Sequence, residues 1–260
     1  MLKLAITGKG GVGKTTLAAL LAHVYTERGQ KVLAIDADPA MGLASAAGVP
    51  LDQAMAITPV ADMEDLIYER TGARKGEIGG FFKLNPRVDD IPERFAVEQD
   101  GVRILTMGTV KSGGTGCLCP ENALLRSLVT HLLLRRDEVL ILDMEAGVEH
   151  LGRGTAGAVD AFIVVVEPGL RAIQTAHTIL GLARDLGIER VYAVGNKVTS
   201  EADADFIAEQ LPRFEILGFL PSDPRAMEAD RKGVAVFEMV PELVERARGI
   251  ADRLASLDEG

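Results

Sequence analysis

Short apolar runs alternate with longer amphipathic stretches along almost the whole chain. The runs, rich in Val, Ile, Leu and Ala, predict buried strands near 2–7, 31–36, 102–107, 138–143, 160–166, 190–195 and 215–220. Between them, helical periodicity punctuated by Pro and Gly predicts helices over 14–28, 58–71, 120–135, 170–186, 201–210, 223–231 and 240–257. Strand and helix repeating in turn imply an α/β fold: a doubly wound, mostly parallel sheet of seven or eight strands, flanked by helices. In such a sheet ligands sit beyond the carboxyl ends of the strands, so the strand-to-helix loops are where chemistry is expected. Residues 72–100 carry Gly, Pro and charge without clean periodicity, and read as an irregular insertion within a single domain spanning 1–260.

Composition sharpens this picture. With 260 residues, 47% of them hydrophobic, no Trp and many small aliphatics, the chain suits helices packed closely on a sheet buried on both faces. A net charge of −10 disfavours duplex DNA and anionic membrane as main partners. The opening MLKLAITG runs straight into a strand, and no apolar run reaches membrane-spanning length, so a cytoplasmic protein is expected. In that reducing compartment the two cysteines, Cys117 and Cys119, point to metal binding or redox chemistry before a structural disulfide.

The most specific motif follows the first strand. LAITGKGGVGKTTLAALLA fits GxxxxGK[ST] placed between a strand and a helix. Glycines let successive N–H groups turn toward phosphates at a helix N-terminus, Lys14 adds a point charge, and Thr15 can ligate Mg²⁺. The phosphate cradle is therefore assigned to Gly8, Lys9, Gly10, Gly11, Val12, Gly13, Lys14, Thr15 and Thr16. Two later strands also end in carboxylates: KVLAIDADPAMG carries Asp36 and Asp38, and EVLILDMEAGVEHLGRG carries Asp143. VYAVGNKVTS places Asn196 and Lys197 after a strand, but Thr199 stands where the guanine signature NKxD has its aspartate. Lacking that carboxylate for guanine N1–H and N2–H₂, the chain is read as an ATP binder.

The loop KGGVGKTT resembles the deviant Walker A loop of the family that includes the nitrogenase iron protein and the Min and Par ATPases. That resemblance implies a homodimer sandwiching ATP, with Lys9 reaching the nucleotide on the other subunit and aiding phosphoryl transfer. It also implies that Asp38 orients the attacking water, that Asp143 holds Mg²⁺ through water, and that the Gly147 N–H senses the γ-phosphate. Asp36 is read as part of the magnesium shell or of the strand end. Lys9, Lys14 and Asp38 are the catalytic candidates. Asn196 and Lys197, with Pro221 and Asp223 in LPSDPRA, are the expected base-binding residues. Met144 and Glu145 depart from the small or proline residues of the partitioning ATPases.

Pro120 suits the first position of a helix, which puts Cys119 at the helix cap and Cys117 in the loop before it, near the positive helix end that favours thiolate. Two ligands are too few for a tetrahedral thiolate site, and His23, His131, His150 and His177 show no ligand spacing. A two-fold dimer would set the pair against its own copy and complete a Cys₄ site for Ni²⁺ or Zn²⁺. The alternatives are small buried hydrophobes or a strained disulfide. Together, KGGVGKTT, GCLCPENALLR and DMEAGVEHLGRGTA resemble the CooC-type ATPases, which assist nickel insertion into carbon monoxide dehydrogenase. The resemblance implies a metallochaperone using ATP/ADP and Mg²⁺, with that enzyme as client. Maturation of acetyl-CoA synthase and a MinD/ParA-like spatial-organisation ATPase stand as alternatives. An electron-donating iron–sulfur ATPase fits less well, because AGVEHLGRGTA contains no cysteine. The last segment, VPELVERARGIADRLASLDEG, mixes charges and ends acidic, unlike a basic membrane or nucleic-acid tether.

Overall fold

The computed structural model describes residues 2–75, 81–109, 119–135, 138–147 and 157–258. Its strands are β1 (Lys3–Thr7), β2 (Val32–Ala37), β3 (Val97–Gln99), β4 (Val102–Thr106), β5 (Val139–Met144), β6 (Ala161–Val166), β7 (Val191–Val198) and β8 (Glu215–Pro221). The α-helices are α1 (Lys14–Glu27), α2 (Leu43–Ala46), α3 (Leu51–Ala56), α4 (Glu64–Thr71), α5 (Ile91–Phe95) and α6 (Pro120–Arg135). They continue with α7 (Leu170–Asp185), α8 (Glu201–Gln210), α9 (Pro224–Lys232), α10 (Val236–Met239) and α11 (Pro241–Asp258).

The strands form one eight-stranded sheet in the order β3-β4-β2-β5-β1-β6-β7-β8. Every neighbouring pair is parallel except β3 and β4, so the doubly wound α/β fold expected from the sequence is the one observed. All seven expected strands are present. The eighth, β3, lies with α5 inside the stretch read as an irregular insertion, and caps the sheet edge as an antiparallel strand. The helix expected over 58–71 is a 3₁₀ turn at Val60–Asp62 followed by α4.

Residues of β2, β5 and β6 are buried without alternation, as strands covered on both faces must be. Helix α1 is apolar nearly all round: Leu17, Ala18, Leu20, Leu21 and Val24 are each 0% exposed, because α1 lies between the sheet and α11. Full burial of each leucine contributes about 2 kcal/mol relative to exposure. That core fixes α1 against β1, and so fixes the loop joining them. Chain order reverses about β1, with β5 on one side and β6 on the other. The carboxyl ends of these three strands converge at the switch point where this class of sheet binds ligands.

Candidate functional site

Glycines shape the loop from β1 to α1. Gly8 has φ +148°, and a Cβ there would lie 2.4 Å from the Val165 carbonyl oxygen on β6. Gly13 has φ +96°, and its Cβ would lie 2.1 Å from Asn196 Nδ2. Any side chain at either position meets backbone strain and a close neighbour together. Helix α1 begins immediately after Gly13, which offers no side-chain cap. Its first-turn N–H groups are therefore left for an anionic ligand.

Around this loop the sheet register gathers carboxylates. Asp143 on β5 stands beside Ile6 of β1 on one side and Asp36 of β2 on the other. It is fully buried, and accepts from the Thr15 hydroxyl at 2.7 Å through one oxygen while the other has no partner. Burial pushes the Asp143 carboxyl up to about 7, with the charges of Asp36 and Asp38 adding to it and Thr15 and Lys14 opposing. Asp36 is raised to about 6, chiefly by burial. Its oxygens accept from the N–H groups of Leu43 at 2.9 Å and Asp38 at 3.2 Å, so Asp36 folds the loop after β2. Asp38, presented by that loop, pairs with the buried Lys14 ammonium at 3.2 Å. The orphaned oxygen of Asp143 and the Thr15 hydroxyl form a hard-oxygen donor set that fits Mg²⁺.

Thr7 links this centre to the loop after β5. Its hydroxyl donates to the Glu145 carbonyl at 2.7 Å and accepts from the Gly147 N–H at 3.2 Å. The N–H read as the phosphate sensor is therefore held by the end of β1. Sequence reading missed Thr7, since nothing local marks a partner 138 residues away.

It also missed Glu167, which directly follows β6 and binds Lys9 Nζ at 3.0 Å and Lys197 Nζ at 3.2 Å through separate oxygens. Lys197 donates in addition to the Gly11 carbonyl at 2.5 Å. Burial raises the Glu167 carboxyl, but its hydrogen bonds to Lys9 and Lys197 outweigh that and leave it lowered. Asn196 donates to the Val12 carbonyl at 2.7 Å and accepts from the Lys197 N–H at 2.8 Å. Both expected base-binding residues of β7 thus brace the phosphate loop. Pro221 ends β8, and Asp223 caps α9 by accepting from the Arg225 N–H at 2.8 Å while pairing with its guanidinium.

Cys117 and His150 lie outside the described residues. Cys119 immediately precedes α6, as the Pro120 signal implied, and is buried. Its carbonyl accepts from the Ala123 N–H at 3.1 Å, continuing the helical pattern back to the cap. His23 stacks on Phe237 with centroids 4.1 Å apart, and His177 Nε2 contacts the Gln210 carbonyl at 3.0 Å. Among the described residues no group of three or more His, Cys, Asp or Glu could hold a metal. No helix among them is long and apolar enough to cross a membrane.

A glycine-shaped loop at the switch point, a buried lysine opening a helix, and a threonine–aspartate pair beside it define a P-loop nucleotide-binding fold. Comparison with known proteins places it further. Residues 3–236 match the model of the CobQ/CobB/MinD/ParA nucleotide binding domain. The carbon monoxide dehydrogenase accessory protein CooC of Rhodospirillum rubrum is 47% identical over 96% of this chain and 94% of its own. An uncharacterized ATP-binding protein of Methanocaldococcus jannaschii is 44% identical over 89% of this chain and 90% of its own. In fold, the chain is similar to a chain of the MinC:MinD cell division protein complex of Aquifex aeolicus, at TM-score 0.70 and 20% identity, with 98% and 96% of the two chains covered. The chain belongs to the MinD/ParA family of P-loop ATPases and is a CooC-type member of it.

Proposed function

We propose that this chain is an ATP-hydrolysing metallochaperone that acts as a homodimer and assists nickel insertion into carbon monoxide dehydrogenase. The observation that carries this reading is kinship along nearly the whole chain with an accessory protein named for that enzyme. The nucleotide site supports its ATPase half.

The first-turn amides of α1 and Lys14 receive the phosphates of ATP, so that Lys14 exchanges its contact with Asp38 for the nucleotide. Asp38, released and next to the phosphates, orients the attacking water. Thr15 and Asp143 would hold Mg²⁺, and the ion would supply neutralisation of phosphate charge. Lys9 reaches the nucleotide of the second protomer and stabilises charge there during transfer. Pro221 and Asp223 form the base-side wall, while Asn196 and Lys197 brace the phosphate loop beside it. Cys117 and Cys119 of both copies together supply the four thiolates of a site whose cargo is Ni²⁺, with Zn²⁺ as a competitor for the same thiolates. ATP promotes cargo binding only if dimer and monomer differ in metal affinity, which a shared site guarantees.

The test is activation of nickel-free carbon monoxide dehydrogenase by the full chain with Ni²⁺ and ATP. CO oxidation is expected to appear with ATP, and to stay absent with a non-hydrolysable analogue or with Asp38→Ala. Activation by Ni²⁺ alone to the same extent and rate refutes the reading.

A further inference from the structure

We propose that Glu167 is a positioning residue that tethers Lys9 to its own protomer and so sets how readily the ATP-bound dimer forms. This rests on the reading above, in which Lys9 serves the opposite subunit. A single carboxylate, at the carboxyl end of β6, lies between two ammonium groups: Lys9 at 3.0 Å and Lys197 at 3.2 Å. Neither Lys9 nor Glu167 is deeply buried, with side chains 36% and 26% exposed, so their pair is open to competition. Lys197 is anchored from behind, by the Gly11 carbonyl and by Asn196, and its backbone sits at φ +58°, a conformation unusual for lysine. The carboxylate is thus held in place by a braced lysine on one side, and holds the partly exposed Lys9 on the other.

Lys9 cannot both contact Glu167 and extend to a second protomer's phosphates. Dimerisation must break the contact twice, once in each copy, and the incoming phosphate supplies the replacement negative charge. An exposed ion pair of this kind is weak, because water competes for both partners. A weak tether suits a switch: it opposes association without nucleotide, and yields to a multiply charged phosphate. In the isolated protomer it also prevents Lys9 and Lys197 from standing unneutralised over the phosphate loop.

The experiment measures, by sedimentation with excess non-hydrolysable ATP analogue and Mg²⁺, the protein concentration at which half the full-length chain is dimeric. Glu167→Gln keeps the shape and removes the charge, and is expected to lower that concentration about three- to tenfold, as loss of two weak pairs allows. Lys9→Ala is expected to abolish the dimer. If Lys9→Ala abolishes it while Glu167→Gln leaves the concentration unchanged or raises it, the tether is overturned and the functional reading stands. If Lys9→Ala dimerises like the wild type, the role of Lys9 in the partner's site fails, and the tether with it. A second measurement needs no variant at Glu167. The Nζ resonance of Lys9 in lysine-labelled wild-type protein, identified by its loss in Lys9→Ala, must shift on adding the ATP analogue and not on adding ADP. Identical spectra with both nucleotides overturn the proposal.

Discussion

Asp143→Asn keeps the side-chain outline and removes a charge buried in the centre of the nucleotide site. The wild-type carboxyl is 0% exposed, and burial raises it from 3.8 to about 7. At about 1.4 kcal/mol per tenfold change in proton affinity, ionised Asp143 opposes folding by about 4 kcal/mol. Because the folded state binds this proton more tightly than the unfolded chain does, its stability falls as pH rises from about 4 to about 7. Below that window both states are protonated and the cost vanishes; above it the cost is complete. Asparagine does not titrate, and whatever its amide costs is independent of pH. The stability of Asp143→Asn relative to wild type should therefore grow by about 2 to 4 kcal/mol between about pH 4 and pH 8. Urea denaturation across that range, with chelator and without nucleotide, reads this directly. Adding Mg²⁺ and ADP at pH 8 should stabilise the wild type more than the variant, since ADP on the phosphate loop stabilises both and only the wild type has the carboxylate the cation neutralises. A difference that stays flat with pH refutes the assignment of Asp143 as a carboxylate whose charge is destabilised by burial.

Other perturbations separate parts of the site. Gly13→Ala combines φ +96° with a 2.1 Å approach to Asn196, so nucleotide binding by calorimetry should be lost; Gly181→Ala in α7, where no atom lies within 4 Å, should retain it. Thr7→Val removes the bonds to Glu145 and Gly147, and should cost about 1–3 kcal/mol of stability. It should also lower kcat more than ATP affinity, because it frees the loop after β5 and leaves the phosphate cradle intact. Asn196→Leu leaves the Val12 carbonyl without its donor, and should weaken ATP and GTP binding alike, because the contact braces the loop and not the base. Selective loss of ATP binding would instead assign the amide to adenine.

What could be seen in the sequence divides along the reach of the interactions. The phosphate loop and the seven longer strands are local features: runs of apolar residues, glycines in fixed spacing, a lysine opening a helix. β3 and α5 escaped because three and five residues are too few to carry a period. Asp36 and Asp143 were legible as carboxylates ending strands, but their meeting depends on the register of β2 with β5. Thr7 and Glu167 were illegible because each acts on a residue far along the chain, and a threonine ending a strand or a glutamate before Pro168 has no distinctive local pattern. For Cys119 the helix start at Pro120 could be read, while its burial could not, since that depends on what packs around α6.

The proposed function requires two chains and a nucleotide together to complete one thiolate site. Equilibrium dialysis of the reduced protein against Ni²⁺, with and without non-hydrolysable ATP analogue, measures it most directly. One tightly held ion per two protomers is expected, only with the analogue present, and none in Cys117→Ala or Cys119→Ala. One ion per protomer, held equally with and without nucleotide and surviving either substitution, contradicts it.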